Sequence, residues 1–225
     1  MDRPDFAALT RLLDARYSCR AFRPEPVPDD VIAEIVQAAG RAPSWCNAQP
    51  WQVTVTRGAE TARFREALLA AVPSEKPAPD LPWPEDYPGI YGARRRECGF
   101  QLYDAVGIER SDRASRQAQM LRNFAFFDAP HVAIVHSEAA LGPYGAMDCG
   151  GFVAAFLLAA QAKGVATIAQ ASVASYPGLI RAHFGLDESR LILCAISFGH
   201  EDAGHPANAF RTSRAELDDI LDLRG

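Results

Sequence analysis

The sequence predicts an α+β fold, a sheet flanked by helices within one domain. Three observations carry that expectation. Segments alternating like strands lie among segments with helical spacing, without the regular strand–helix succession of a doubly wound parallel sheet. The chain has 225 residues and 24.4 kDa, a size at which about 70% of the extended chain's surface is buried, enough for one core. No internal repeat or low-complexity tract divides it, so residues 1–225 are expected to form a single domain.

The elements follow in order. Phe6, Leu9, Leu12 and Leu13 share one stripe of an expected helix over 4–15. Residues 16–20 read as polar loop or short strand. Val27-Pro28-Asp29-Asp30 is a helix start, an acidic cap followed by Val31, Ile32, Ile35, Val36 and Ala39 at helical spacing. Pro43 ends that helix. Residues 52–56 alternate as a strand, and 59–71 are helical. From 73 to about 116 the texture changes: Pro73, Pro77, Pro79, Pro82, Pro84 and Pro88 impose an extended, irregular course. Trp83, Tyr87, Tyr91, Phe100 and Tyr103 are scattered through this insert, an aromatic content that suits a lid or binding loop better than disorder. A helix (112–127), a strand (131–136) and a central helix (148–163) capped by Gly164 come next. A short apolar stretch (165–168), a helix (176–184), an apolar strand (191–198), and a tail ending in a final helix (211–223) complete the chain.

Composition excludes several chemistries. Of 23 basic residues only Lys76 and Lys163 are lysines, and neither Ser-Glu-Lys-Pro nor Gln-Ala-Lys-Gly is a phosphate loop or a Schiff-base setting. Any bound anion must be gripped by arginine. A net charge of −5 disfavours a nucleic-acid or anionic-membrane partner, and Arg94-Arg95-Arg96 reads as a solvated helix face. Five well-separated cysteines include no C-x-x-C pair, and with no leader sequence they fit reduced thiols in the cytoplasm. The longest apolar run, 149–160, is too short to span a bilayer. G-x-G-x-x-G, G-x-S-x-G and H-E-x-x-H are all absent. The histidines do not cluster, so no metal site is expected. A redox enzyme built from this chain would have to hold its cofactor without a Rossmann loop.

Three patches stand out. Arg16, Ser18 and Arg20 alternate directly after a helix, which places two guanidiniums and a hydroxyl on one side of an extended segment. Planar, fork-like donors of this kind suit a phosphate or a carbonyl-rich ring edge. The second patch, Pro43-Ser44-Trp45-Cys46-Asn47-Ala48-Gln49-Pro50-Trp51, sets polar groups between prolines and tryptophans, as a hydrogen-bonding aromatic ligand requires. The third is Asn208-Ala209-Phe210-Arg211-Thr212-Ser213-Arg214.

Together these resemble the nitroreductase family of FMN-dependent oxidoreductases. The resemblance rests on Arg16-Tyr17-Ser18-Cys19-Arg20-Ala21-Phe22, on the Pro-Val-Pro helix start, on the A-P-S-x-x-N-x-Q-P-W loop at 42–51 and on the basic tail. It covers nearly the whole chain, with only 73–116 outside the common pattern. It implies a central, mostly antiparallel mixed sheet flanked by helices, and an intertwined homodimer with FMN at the interface. By likeness, Arg16, Tyr17, Ser18 and Arg20 hold FMN from one subunit, with Arg16 and Arg214 on the phosphate and Arg20 beside the pyrimidine. Arg211 is a further phosphate ligand. Backbone groups around Gln170 and Ala171 lie near N5, Arg122 or Asn123 touches the ring, and Pro43, Ser44 and Asn47 come from the other subunit. Two departures are visible: Trp45 and Cys46 replace small residues, and Gly164-Val165-Ala166-Thr167 replaces Gly-Leu-Gly-Thr.

The implied activity is hydride transfer from NADH or NADPH through FMN to nitroaromatic compounds, in ping-pong fashion. The cofactor carries the chemistry while the protein orients it, so no catalytic side chain is assigned. Trp45, Trp83, Tyr87 and Tyr91 are the candidates for substrate contact. The alternatives are a quinone, enone or flavin reductase of the same fold, and a non-catalytic FMN-binding sensor or store.

Overall fold

The computed structural model describes residues 3–225. Among these residues seven helices surround a four-stranded sheet, the expected α+β arrangement. In chain order the helices are α1 (Pro4–Ala15), α2 (Asp29–Ala39), α3 (Ala59–Ala71), α4 (Gly89–Ala105), α5 (Arg113–Leu121), α6 (Gly142–Ala162) and α7 (Pro177–Phe184). The strands are β1 (Gln52–Thr56), β2 (His131–Glu138), β3 (Ala166–Gln170) and β4 (Arg190–Gly199). They run in the order β1-β2-β4-β3, every neighbouring pair antiparallel. Beyond β3, Ser18 makes a single parallel bridge to Thr167, and the Cys19 N–H donates to the Thr167 carbonyl at 3.0 Å. This bridge brings the Arg-Tyr-Ser-Cys-Arg segment to the sheet.

Period-two alternation on β2 feeds two cores. Val132 and Ile134 pack with Phe64 and Leu68 of α3, Ile180 of α7, and Phe124, Phe126 and Phe127. Ala133 and Val135 pack instead with Ile32, Ile35 and Ala39 of α2 and with Cys149, Phe152, Phe156 and Ala160 of α6. Each buried Phe or Ile contributes roughly 2–3 kcal/mol by removal from water, so the sheet is held from both faces. Among the described residues one helical stretch, Ala139–Ala162, is long and apolar enough to cross a membrane. Its Cys149, Phe152, Phe156 and Ala160 face is core packing.

Four expectations need correction. The insert is irregular only as far as Pro88. With no further proline until Pro130, the chain forms α4 and α5; α5 falls within the helix expected over 112–127, whereas Gly92, Gly99 and a run of three arginines hide α4 from a periodicity reading. The helix expected over 112–127 stops at Leu121, and Phe126, Phe127 and Asp128 then adopt left-handed φ of 57°, 51° and 64°. That turn costs on the order of 1–2 kcal/mol per residue. It is held by Phe126 and Phe127 in the core, while Arg65 donates to the Ala125 carbonyl at 3.0 Å and the Ala129 carbonyl at 2.9 Å. Third, α6 begins at Gly142 rather than Asp148, because Pro143 fits the first helical turn. Fourth, the final helix is missing: 211–223 contains only a 3-10 turn at Leu217–Asp219. Leu217, Ile220, Leu221 and Leu223 find no surface within this chain to cover them.

Candidate functional site

Ser18's bridge to β3 decides where the alternating arginines point. Arg16, Tyr17, Ser18 and Arg20 line one side of a cleft of about 310 Å³, closed opposite by Phe210, Arg211, Thr212 and Arg214 of the tail. Segments almost two hundred positions apart thus meet. Leu13 and Asp14 from the end of α1 and Cys98 from α4 complete the wall.

Among the described residues none of the cleft cations forms a salt bridge, although Asp14 stands in the cleft wall. Arg20 donates to the Ser18 carbonyl at 3.1 Å and lies 5.5 Å from the Phe210 ring centroid. Arg211 donates to the carbonyls of Asn208 and Phe210, both at 2.9 Å, and its guanidinium stacks 3.6 Å over the Tyr17 ring. Arg214 bonds the Thr212 hydroxyl at 2.8 Å and the Ser213 carbonyl at 2.8 Å. Burial lowers the Arg16 pKa, and repulsion from Arg214 lowers it further. Burial lowers that of Arg20 as well. Arg16 and Arg20 nevertheless stay protonated at neutral pH, because a guanidinium keeps its proton in proteins. Converging cations in a half-buried cleft, bonded only to neutral groups, call for an anion.

Tyr17 is held in turn. Its phenol donates to the Glu201 carboxylate, and burial together with that bond raises its pKa, so it stays neutral beneath Arg211.

Ser18 and Arg20 also border a second cleft of about 370 Å³, with Leu102 and Tyr103 of α4, Gln119 and Met120 of α5, Asn123, Phe127, and the end of β3 from Ile168 through Gln170 to Ala171 and Ser172. Gln170 turns its amide inward: Nε2 donates to the Asn123 carbonyl at 2.8 Å, and Ser197 donates to Oε1. The backbone at 170–171 faces the cleft, with Ala171 exposed. The two clefts meet at Ser18 and Arg20, giving a polar cationic half and a flatter half bordered by strand backbone and aromatic side chains.

Other expected residues lie elsewhere. Pro43, Ser44 and Asn47 border neither cleft of their own chain. Their loop is built with care: the Trp45 N–H donates to Asp148 of α6 at 3.0 Å, and the Gln49 N–H to the Ser44 hydroxyl at 2.9 Å. Cys46, Asn47 and Gln49 hold φ of 50°, 54° and 49°. Strain of this kind persists where the surroundings over-determine it, often at sites of function. Trp45 is 62% exposed and packs 4.6 Å from the Tyr144 ring. Trp83, Tyr87 and Tyr91 are exposed too, and the Tyr87 ring is covered by Arg95 at 5.1 Å. Arg122 pairs with Asp128 at 2.9 Å, whereas Asn123 reaches the cleft.

Sequence reading missed the wall residues Cys98 and Leu102, because α4 has no apolar stripe to announce it, and named Tyr103 only among the aromatics of the insert. It also missed Phe210 and Thr212, although they stand inside the third patch.

A sheet edge that gathers Arg-x-Ser-x-Arg, a basic tail and a strand-end backbone around one anion-seeking cleft defines the nitroreductase architecture, and the Nitroreductase family profile matches residues 13–200. The chain belongs to this family. Nitroreductase NfnB of Mycolicibacterium smegmatis is 36% identical over 211 residues, 93% of this chain and 90% of the relative. The 4-nitrobenzoate reductase of Pseudomonas putida is 34% identical over 215 residues, 92% of this chain and 93% of the relative. Among solved structures, the FMN-dependent nitroreductase NfnB from Mycobacterium smegmatis in complex with NADPH superposes with a TM-score of 0.93 at 35% identity, covering 97% of this chain and 99% of that one.

Proposed function

We propose that this protein is an FMN-dependent oxidoreductase that passes hydride from NADH or NADPH to nitroaromatic compounds. The observation that carries the reading is the four-arginine cleft joined, through Ser18 and Arg20, to the second cleft at the strand end, where Gln170 is buried and Ala171 exposed. Relatives described as FMN- and NADPH-dependent nitroreductases across nearly the full chain support it.

FMN, when bound, supplies hydride acceptance and release at its ring, which no side chain can do. The residues fit the group. Arg16 and Arg214 repel one another across the cleft until an anion sits between them, and Arg211 on its Tyr17 platform adds a third cation; these hold the phosphate. Ser18 and Arg20 stand where the clefts meet, and the Arg20 cation favours negative charge on the adjoining pyrimidine edge. The backbone at Gln170 and Ala171 flanks the reactive edge. Tyr103 of α4 and Met120 of α5 border the second cleft and would lie against the bound ring.

The working unit is a homodimer. Phe6, Leu9 and Leu13 leave the α1 stripe 65%, 44% and 50% exposed, and the apolar tail is equally uncovered. A second copy burying these surfaces brings its Pro43, Ser44 and Asn47 loop to the cleft, completing the cofactor shell, and its Trp45 to the substrate side. Trp83, Tyr87 and Tyr91 line the approach as the outer part of the insert. Five free thiols suit a cytoplasmic enzyme fed by NAD(P)H.

Purified protein should be yellow, with about one FMN per subunit, bleach on addition of NADH or NADPH, and regain its colour anaerobically with a nitrobenzoate. Colourless protein that takes up no FMN would falsify the cofactor. Recovery with quinones but not with nitroaromatics would reassign the substrate.

A further inference from the structure

The two arginine-bearing segments of the cleft are far apart in sequence, and one buried side chain ties them. Asn208 is only 5% exposed. Its Oδ1 accepts the Arg20 backbone N–H at 2.7 Å, and its Nδ2 donates to the Ala21 and Asp202 carbonyls, both at 2.9 Å. The orientation of the amide is dictated, because an N–H can only donate and the two carbonyls can only accept. The Asn208 carbonyl in turn accepts from the Arg211 guanidinium at 2.9 Å. Around it the Asp202 N–H donates to the Ala21 carbonyl at 3.0 Å, and the Arg23 N–H to the His200 carbonyl at 2.8 Å.

We propose that Asn208 is a positioning residue that locks the Arg20 segment and the Arg211 segment into one rigid frame, so that both cations meet the cofactor in fixed places. This rests on the FMN reading above. The reason is geometric. Alanine at 208 leaves one backbone donor and two backbone carbonyls without the partner that spans them, and water entering there lets the two segments move independently. Aspartate keeps the acceptor but offers no donor to the two carbonyls. Only an amide of this length satisfies all three groups.

The test compares Asn208→Ala with Thr61→Ala, which removes buried hydrogen bonds at Thr56 and Pro130 in another part of the fold. Apoprotein is titrated with FMN, and the midpoint potential of the bound flavin is measured alongside the melting temperature. Asn208→Ala should weaken FMN binding at least tenfold and move the potential to more negative values, while Thr61→Ala lowers the melting temperature and changes neither. If Asn208→Ala fails to fold, Asn208→Ser, whose hydroxyl satisfies one carbonyl without spanning the site, should show the same two changes. Wild-type protein that takes up no FMN overturns the cofactor reading and this proposal with it. Wild-type protein that binds FMN while the position-208 variants lose only thermal stability overturns this proposal alone.

Discussion

Arg16 and Arg214 show how single side chains define a site before any ligand is considered. Among the described residues neither forms a salt bridge, and burial with mutual repulsion depresses the Arg16 pKa. Replacing either with alanine should cost on the order of 2 kcal/mol of FMN affinity, about a 30-fold rise in Kd. Equilibrium dialysis checks it, and full retention of FMN in both variants would remove them from the phosphate position. His131 and His136 make a different residue-scale prediction. Burial lowers both pKa values in the folded protein. The unfolded chain therefore binds more protons below the ordinary histidine pKa of about 6.5. Stability contributed by these neutral rings is present above that pH and is lost as pH falls through the depressed folded values. Melting temperature should decline between pH 7 and 5.5, above the range where carboxylates titrate. A flat profile there would contradict the assignment.

At the scale of elements, the insert divides into two parts with different anchoring. Residues 73–88 are proline-rich and exposed beyond Asp80, whereas α4 lies against the cleft. Asp80 is the pin: its carboxylate accepts from Arg181 of α7 and from the Ile192 N–H of β4, both at 2.8 Å, and the Asp80 and Arg181 side chains are each 12% exposed. Asp80→Asn should cost about 3 kcal/mol, because it leaves Arg181 without its close, buried counter-ion. That corresponds to a drop of roughly 6–12 °C in melting temperature for a chain of this length. Deleting residues 80–92 removes that pin together with the exposed aromatics, and substrate preference should change; an unchanged profile would exclude Trp83, Tyr87 and Tyr91 from substrate contact. Strands and amphipathic helices were legible because burial on one face imposes a period on their sequences. Helix α4 was not, since its surroundings are polar, aromatic and half-exposed, and no stripe results. The left-handed turn at Phe126–Asp128 was equally hidden: its residues ordinarily avoid that conformation, and only packing from α3 and the core compels it.

For the whole molecule, the unpartnered apolar surface is the governing fact. The α1 stripe, Leu217, Ile220 and Leu223 are all exposed in the single chain, while the residues resembling the second half of a cofactor shell stand away from its cleft. The proposed homodimer would account for both facts. Phe6→Glu with Leu9→Glu, exposed on α1 and outside both clefts, should convert a dimer to monomer in light scattering and lower FMN content together with it, because the Pro43–Asn47 loop then has no cleft to complete. Monomeric wild-type protein with full FMN would refute that arrangement.

By itself the sequence determined the α+β class, most helix and strand positions, the exclusion of lysine and Rossmann chemistry, and the family through the motifs at 16–22 and 42–51. These are local properties, written in periodicity, in the types of residue and in their short-range spacing. The family resemblance grouped Arg16, Arg20, Arg211 and Arg214 around one ligand, but only the tertiary structure shows that they line one cleft, that α4 walls it, and that Asn208 ties its two sides together. Those contacts join segments nearly two hundred residues apart. They exist because Ser18 pairs with Thr167 near the start of β3 and the tail packs back across it, relations that no local pattern in the chain encodes.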